Sequence, residues 1–417
     1  MSNDMKPEIR FPGFTEDWEQ RKVGEFYDFK NGLNKEKEFF GSGVPIVNFV
    51  DVFHNRGLTP EMLKGRVTLS EKEIKNFEVK QGDIFFTRTS ETINEIGYPS
   101  VMLGAPTDTV FSGFVLRGRA RSVDPMNNLF KRYVFFTESF RNEMVKKSSM
   151  TTRALTSGTA IKEMYVQYPT SKDEQHKIGA FLAQIDETIT LKQRKLDLLK
   201  ETKKGFLQKM FPKNGAKVPE IRFPGFTEDW EQRKLSELAE VKTGFPFKND
   251  DFIDGGDYLV ITNGNIQNNS ALVDGNIGNR ISAVSDEIKD KYLLNYGDIL
   301  VTMDGTVGRT AKVFEKNQIL AQRVGRLVAN TTPEFLYQWL NTGKFFGDMT
   351  KVSHGGTIKH ISLSEISDFN AFVPVNEDER VKIGSLLLNI DKTITLHQRK
   401  LDLLKETKKG FLQKMFV

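Results

Sequence analysis

The chain has 417 residues, 38% of them hydrophobic and 28% charged, with a net charge of +5 and no cysteine. That length allows two to three domains, each with its own core, and the lack of cysteine excludes disulfides, thiolate zinc sites and cysteine nucleophiles. No apolar run approaches the ~18 residues of a membrane helix, and the start MSNDMKPEIR lacks a secretory hydrophobic region, so a cytoplasmic protein without a membrane partner is expected.

An arm comes first: Pro7 to Lys22 reads PEIRFPGFTEDWEQRK. The stretch that follows is rich in short β-like runs, among them VPIVNFVDV, GDIFFTR and VFSGFVLRGRA, separated by Gly, Asn and Asp as tight turns require. A helical patch, NLFKRYVFFTESFRNEMVKK, sits late in this insert. Pro169 closes the run MYVQYP, and Ser171 with Glu174 opens a helix as a capping box. The same order then recurs. Pro219 to Lys234 repeats the arm letter for letter, a second insert carries YLVITNGNI, GDILVTM, QRVGRLV and PEFLYQWLNTGKFFGDM, and Pro374, Asn376 and Glu379 introduce another helix. The segment Ile178 to Phe211 returns as Ile383 to Phe416 with six differences in 34 positions. The two inserts share little beyond texture.

The repeated helices carry apolar residues in steps of four and three, the pattern of a coiled-coil seam. In the first copy the seam is Ile178, Leu182, Ile185, Ile189, Leu196 and Leu199; in the second it is Ile383, Leu387, Ile390, Ile394, Leu401 and Leu404. Lys192 and His397 interrupt it at equivalent positions, where they either set register or reach out to water. Some 40 residues of helix are about 60 Å long and cannot bury a seam alone, so each copy is the obvious mate of the other. Either orientation is sterically open; an antiparallel pairing would relate the halves by an approximate two-fold axis. Phe11, Phe14 and Trp18 of the arm, with Phe223, Phe226 and Trp230 of its copy, are either core wedges or interface anchors.

The charge is local. Residues 170–217 carry +5 and residues 375–417 carry +3, which leaves −3 for the remainder. The excess positive charge therefore lies in the repeated helices. The five histidines (His54, His176, His354, His360, His397) are scattered, and no metal site is expected. Two Glu-x-Lys triplets, Glu73-Ile74-Lys75 and Glu287-Ile288-Lys289, each lie in a charged helix-like stretch and read as solvated faces. No methyl-donor loop, no NPPY or NPPF tetrad and no GxxxxGK[ST] phosphate cradle is present.

The doubled PEIRFPGFTEDWEQRK arm, the GDI turn before a loop, and the basic coiled coil ending in LLKETKKGFLQKMF together resemble the specificity subunit of type I restriction-modification systems, over essentially the whole chain. The resemblance implies an α+β fold of two pseudo-two-fold-related halves. Each half would be a mostly β target recognition domain plus a long helix, with the two helices paired as an antiparallel coiled coil. It implies arm and recognition domain 1 at residues 1–169, a central spacer helix and linker at 170–217, arm and recognition domain 2 at 218–374, and a C-terminal spacer helix at 375–417. It further implies a non-catalytic subunit that reads a bipartite double-stranded DNA target. Two modification (adenine methyltransferase) subunits would bind it, and restriction subunits would supply ATP-dependent cleavage. No cofactor is then expected in this chain; S-adenosylmethionine and ATP/Mg belong to the partner subunits.

Reading bases takes Arg or Lys for guanine and Asn or Gln for adenine, on loops that leave short strands. In the first insert the candidates are Asn48, His54, Arg56, Arg88, Thr89, Ser90, Arg117, Arg119 and Arg153. In the second they are Asn263, Asn265, Asp304, Thr306, Arg309, Gln322, Arg323, Lys359 and His360. Aligned on GDI, Asp304 stands where Thr89 stands. The competing reading is a protein–protein scaffold that never touches DNA, but it leaves the divergence of the inserts within a constant frame without a reason.

Overall fold

The structure, a computed structural model, describes residues 5–213, 215–267, 270–282 and 284–417. It divides into two compact units, Met1–Gln193 with Arg399–Val417, and Arg194–Gln398. Each unit thus takes an arm, an insert and one portion of each long helix, Lys172–Lys209 and Glu377–Lys414.

In the first unit the arm strand Glu19–Lys22 pairs antiparallel with Tyr165–Tyr168, the last strand of the insert. The insert folds on a five-stranded sheet in the order Tyr27–Asn31, Val115–Ala120, Ile84–Thr87, Pro99–Met102 and Gly57–Leu58. Beside it lies a smaller sheet of Arg66–Val67, Phe40–Val47 and Val110–Phe111. The run VPIVNFVDV is only half a strand. It stops at Val47, and Asn48 starts the helix Phe49–His54, with the Asp51 carboxylate accepting the Asn48 N–H at 2.8 Å. A capping pair here overrides the β-branched composition.

The second unit repeats the plan. Glu231–Lys234 pairs with Asn370–Val373, and the main sheet orders Ala239–Thr243, Val324–Ala329, Ile299–Thr302 and Thr310–Lys312. Both Glu-x-Lys triplets fall in short helices, Glu71–Asn76 and Asp286–Tyr292. Glu73 serves its own helix cap and Lys35, whose ammonium holds its carboxyl at about 2.

Each core joins insert, arm and both helices. In the first unit Trp18 is 3% exposed and meets the rings of Phe130 and Phe416, both at 6.0 Å; Ile178, Leu182 and Met415 complete the cluster. In the second unit Trp230 meets Phe211 at 6.0 Å and Phe335 at 6.4 Å, with Ile383, Leu387 and Met210. The tryptophans are core residues. Phe11 packs edge-on against Phe181, and Phe14 and Phe226 lie under Lys177 and Lys382 at 4.9 and 4.8 Å.

The two helices run antiparallel in both units. Phe181 meets Phe411 while Asp186 meets Lys408, and Lys203 meets Asp391 while Met210 shares a core with Ile383. Of the seam, Ile178, Leu182, Leu196, Ile383, Leu387 and Leu401 are fully buried; Ile185, Ile189, Leu199, Ile390, Ile394 and Leu404 are half-buried. The two predicted capping boxes are only half made. Ser171 accepts the Glu174 N–H at 3.3 Å and Asn376 accepts the Asp378 N–H at 2.8 Å, but the Glu174 and Glu379 carboxylates turn away from the caps. They bind the arm arginines bidentately, Arg10 at 2.6 and 2.8 Å and Arg222 at 2.7 and 2.9 Å.

Candidate nucleic-acid interface

Each unit presents a tip of three chain segments side by side, and most of the backbone pairing that builds it recurs in both, the exception being the N–H of Arg88, which goes to the Phe114 carbonyl, and that of Met303, which goes to the Asn263 side chain. In the first unit, strand Ile84–Thr87 runs on into Arg88, whose N–H donates to the Phe114 carbonyl at 3.0 Å. On the other side Thr156 N–H donates to the Arg88 carbonyl at 3.1 Å, and Thr89 and Ser90 pair with Leu155 and Ala154. In the second unit, Ile361 N–H donates to Met303 at 2.9 Å, Gly305 N–H to Lys359 at 2.8 Å, and Asp304 pairs with His360. Val115 faces Thr87 as Val324 faces Thr302. Arg88, Thr89, Phe114 and Leu155 therefore occupy the backbone positions of Met303, Asp304, Arg323 and His360.

A glycine makes each tip. At Gly32 a Cβ would stand 2.1 Å from the Ser112 carbonyl, and at Gly244 it would stand 2.3 Å from the Leu320 and Ala321 carbonyls. The flanking bonds correspond too: Gly113 N–H to Leu33 and Gln322 N–H to Phe245, both 2.8 Å.

The side chains do not correspond. In the second unit His360 Nδ1 lies 2.6 Å from Asp304 Oδ1, and Arg323 Nη1 lies 3.4 Å from the same oxygen. Asp304, Arg323 and His360 thus form one cluster, and Asn263 Oδ1 accepts the N–H of the preceding residue, Met303, at 3.0 Å. Arg323 has φ of +69°, a left-handed conformation uncommon outside glycine, and its side chain is 57% exposed. Gln322, Thr306 and Lys359 are exposed around it, and Arg309 is half-buried, with its N–H on Thr302. In the first unit the same face carries exposed Phe114, Met150 and Leu155, with Arg153 in an exposed pair with Glu91. Arg88 and Thr89 are half-buried and Ser90 is buried, its hydroxyl accepting the Thr92 N–H. Asn48 caps its helix, and His54 is exposed at the far end.

Four candidates are instead taken up by the protein's own groups, Arg117 and Asn265 buried and Arg56 and Arg119 half-buried. Arg56 lies 4.3 Å over the Phe136 ring, and burial lowers its pKa. Arg117 is buried with its guanidinium on the Glu78 carbonyl, and Arg119 grips Asp83 of the GDI turn at 2.6 and 2.7 Å. Asn265 is 1% exposed and donates to the carbonyls of Asp274 and Ile277. For Arg119 the cause is that a GDI aspartate pinned in a turn needs a cation, and Arg326 serves Asp298 in the same way in the second unit at 2.8 Å; Arg56, Arg117 and Asn265 are taken up by a ring or by backbone carbonyls.

Residue-type reasoning missed Phe114 and Leu155, because only hydrogen-bonding side chains were sought. It also missed a pair of locks between insert and helices. Asp186 accepts the Tyr133 hydroxyl at 2.8 Å and binds Lys408; Asp391 accepts Gln338 Nε2 at 2.8 Å and binds Lys203 at 2.7 Å. The recurrence of Asp186 and Asp391 at a spacing of 205 was the available signal.

Comparison with known proteins adds the following. The family model for the type I restriction modification DNA specificity domain matches residues 15–201 and again 227–406. A type I restriction enzyme specificity subunit of Methanocaldococcus jannaschii, MjaVIII, is 22% identical, covering 95% of this chain and 91% of its own. Among solved structures, the S subunit of a type I restriction-modification system from M. genitalium superposes with a TM-score of 0.66 at 15% identity, over 99% of both chains. A chain from a structure of complex assembly and conformational transition in the type I R-M system superposes at 0.52, with 16% identity over 98% of this chain and 99% of that one.

Proposed function

The chain belongs to the type I restriction-modification DNA specificity family, and from that premise we propose that it reads a bipartite duplex with its two tips and performs no chemistry itself. One observation carries this reading: matching strand registers present different side chains at corresponding tip positions, as two readers of two different half-sites require. The repeated frame would bind two copies of an adenine methyltransferase subunit, since two copies of one protein need the same surface twice. In support, each long helix exposes leucines seven residues apart, Leu191 and Leu198, then Leu396 and Leu403, off the buried seam. Restriction subunits would add ATP-dependent cleavage. S-adenosylmethionine, ATP and Mg would be held by those partners, in the cytoplasm. Among the described residues no helix is long and apolar enough to cross a membrane.

Replacement of residues 235–374 by the insert of a relative, followed by methylome sequencing of the host, tests it. One half-site should change and the other persist. Change in both, or methylation without a bipartite sequence, would refute the reading.

A further inference from the structure

The four matched tip positions differ in chemical kind as well as identity. The second unit holds a carboxylate between two basic groups, Asp304 between Arg323 and His360. The first unit holds two exposed apolar groups, Phe114 at 61% and Leu155 at 41%, on either side of Arg88 and Thr89. Phe114 and Leu155 stand exposed on one tip together with Met150, and it is grouped apolar exposure, not a single exposed residue, that marks a binding surface. Likewise, an arginine at positive φ is uncommon, and such outliers collect where the surroundings impose them for a function.

Resting on the DNA-reading function above, we infer that these positions are the specificity-determining set and that the two half-sites are read by different physics. In the second unit, Arg323, oriented by Asp304, donates to the edge of a guanine; the N7 and O6 acceptors of that base fit a guanidinium fork. Asp304 is a positioning residue, since its two oxygens are taken up by His360 and Arg323. In the first unit, Phe114 and Leu155 offer no hydrogen bond and cover the C5 methyl of a thymine, the apolar feature of the same groove.

Base analogues separate the two modes on the full chain assembled with its modification subunits, once methylome sequencing has given the target. Deoxyuridine in place of each thymine of the first half-site deletes only the methyl. One position should lose about four-fold in affinity, the worth of one buried carbon, and Phe114→Ala should abolish that difference. In the second half-site, 7-deazaguanine removes the N7 acceptor. One guanine should lose about ten-fold or more in the wild type, little in Arg323→Ala, and an intermediate amount in Asp304→Asn. Intact assembly of each variant with the modification subunits controls for folding. If bipartite binding persists but no thymine or guanine shows this residue-dependent loss, this inference fails and the reading function stands. If there is no sequence preference at all, both fail.

Discussion

The lock at Asp186 makes the sharpest test of how a recognition insert is held to its helices. Asp186→Asn keeps the shape and leaves an amide oxygen for the Tyr133 hydroxyl, so the lost quantity is the charge facing Lys408. The Lys408 side chain is 12% exposed, and Asp186 is 24% exposed. Burial already pulls the Lys408 pKa down from the usual lysine value, and Arg56 and Arg132 push the same way, with only Asp186 opposing. Removing one partner of a buried pair costs roughly 3–5 kcal/mol; residual exposure of Asp186 argues for the lower end, about 3 kcal/mol. The matching change, Asp391→Asn, strands Lys203 beside the neutral Gln338 amide and should cost about 1 kcal/mol less.

Hydrogen exchange resolved by peptide is the assay, because a two-unit chain need not unfold in one step. Peptides of residues 128–147 should lose protection in Asp186→Asn while peptides of 333–352 do not. Adding Lys408→Met should recover much of the loss, since the stranded charge, not the missing bond, carries the cost. The pH sign follows from the lowered Lys408 pKa. Between its folded value and 10.5 the unfolded chain binds the extra proton, so stability rises with pH across that window; loss of Asp186 lowers the folded value further, so the Asp186→Asn deficit shrinks as pH approaches the wild-type folded value from below and is level above it. An effect below 1 kcal/mol, a larger loss from Asp391→Asn, or no rescue by Lys408→Met would refute the argument.

Three further outcomes follow from the same geometry. Gly244→Ala, which sets a methyl against the Leu320 and Ala321 carbonyls, should weaken reading of the second half-site at least ten-fold and spare the first, measured by competition with half-site mutants. Trp18→Ala opens the core around Phe130 and Phe416 and should cost about 3–5 kcal/mol by denaturant unfolding. Leu191→Asp with Leu396→Asp, both on exposed positions, should leave folding within about 0.5 kcal/mol yet reduce binding of the modification subunit in analytical ultracentrifugation.

The doubled frame was legible because duplication writes itself twice. A seam that recurs at a spacing of 205 cannot be composition noise, and its residues are buried or half-buried in both copies. The capping residues were legible for the same reason, but half of their meaning was not. Glu174 and Glu379 scan as capping-box members, and only the folded chain brings Arg10, distant by 164 positions, to take the carboxylate. Arg117 and Arg119 misled in the opposite direction. A basic strand end looks like a reader until the GDI aspartate, far away in sequence, claims it.

The tips mark where sequence reasoning by residue type runs out. Phe114 aligns with Arg323 through the strand register at Val115 and Val324 and the hydrogen-bonded neighbours Leu33 and Phe245, not through sequence, since the spacing from GDI differs between inserts. That correspondence is a property of the backbone, and it alone shows one position holding an apolar ring in one unit and a guanidinium in the other. If the tips read bases as proposed, divergence of side chains on a shared strand register would change which base is favoured without moving the tip itself. On the proposed reading, specificity would then drift in one half without any change in the other.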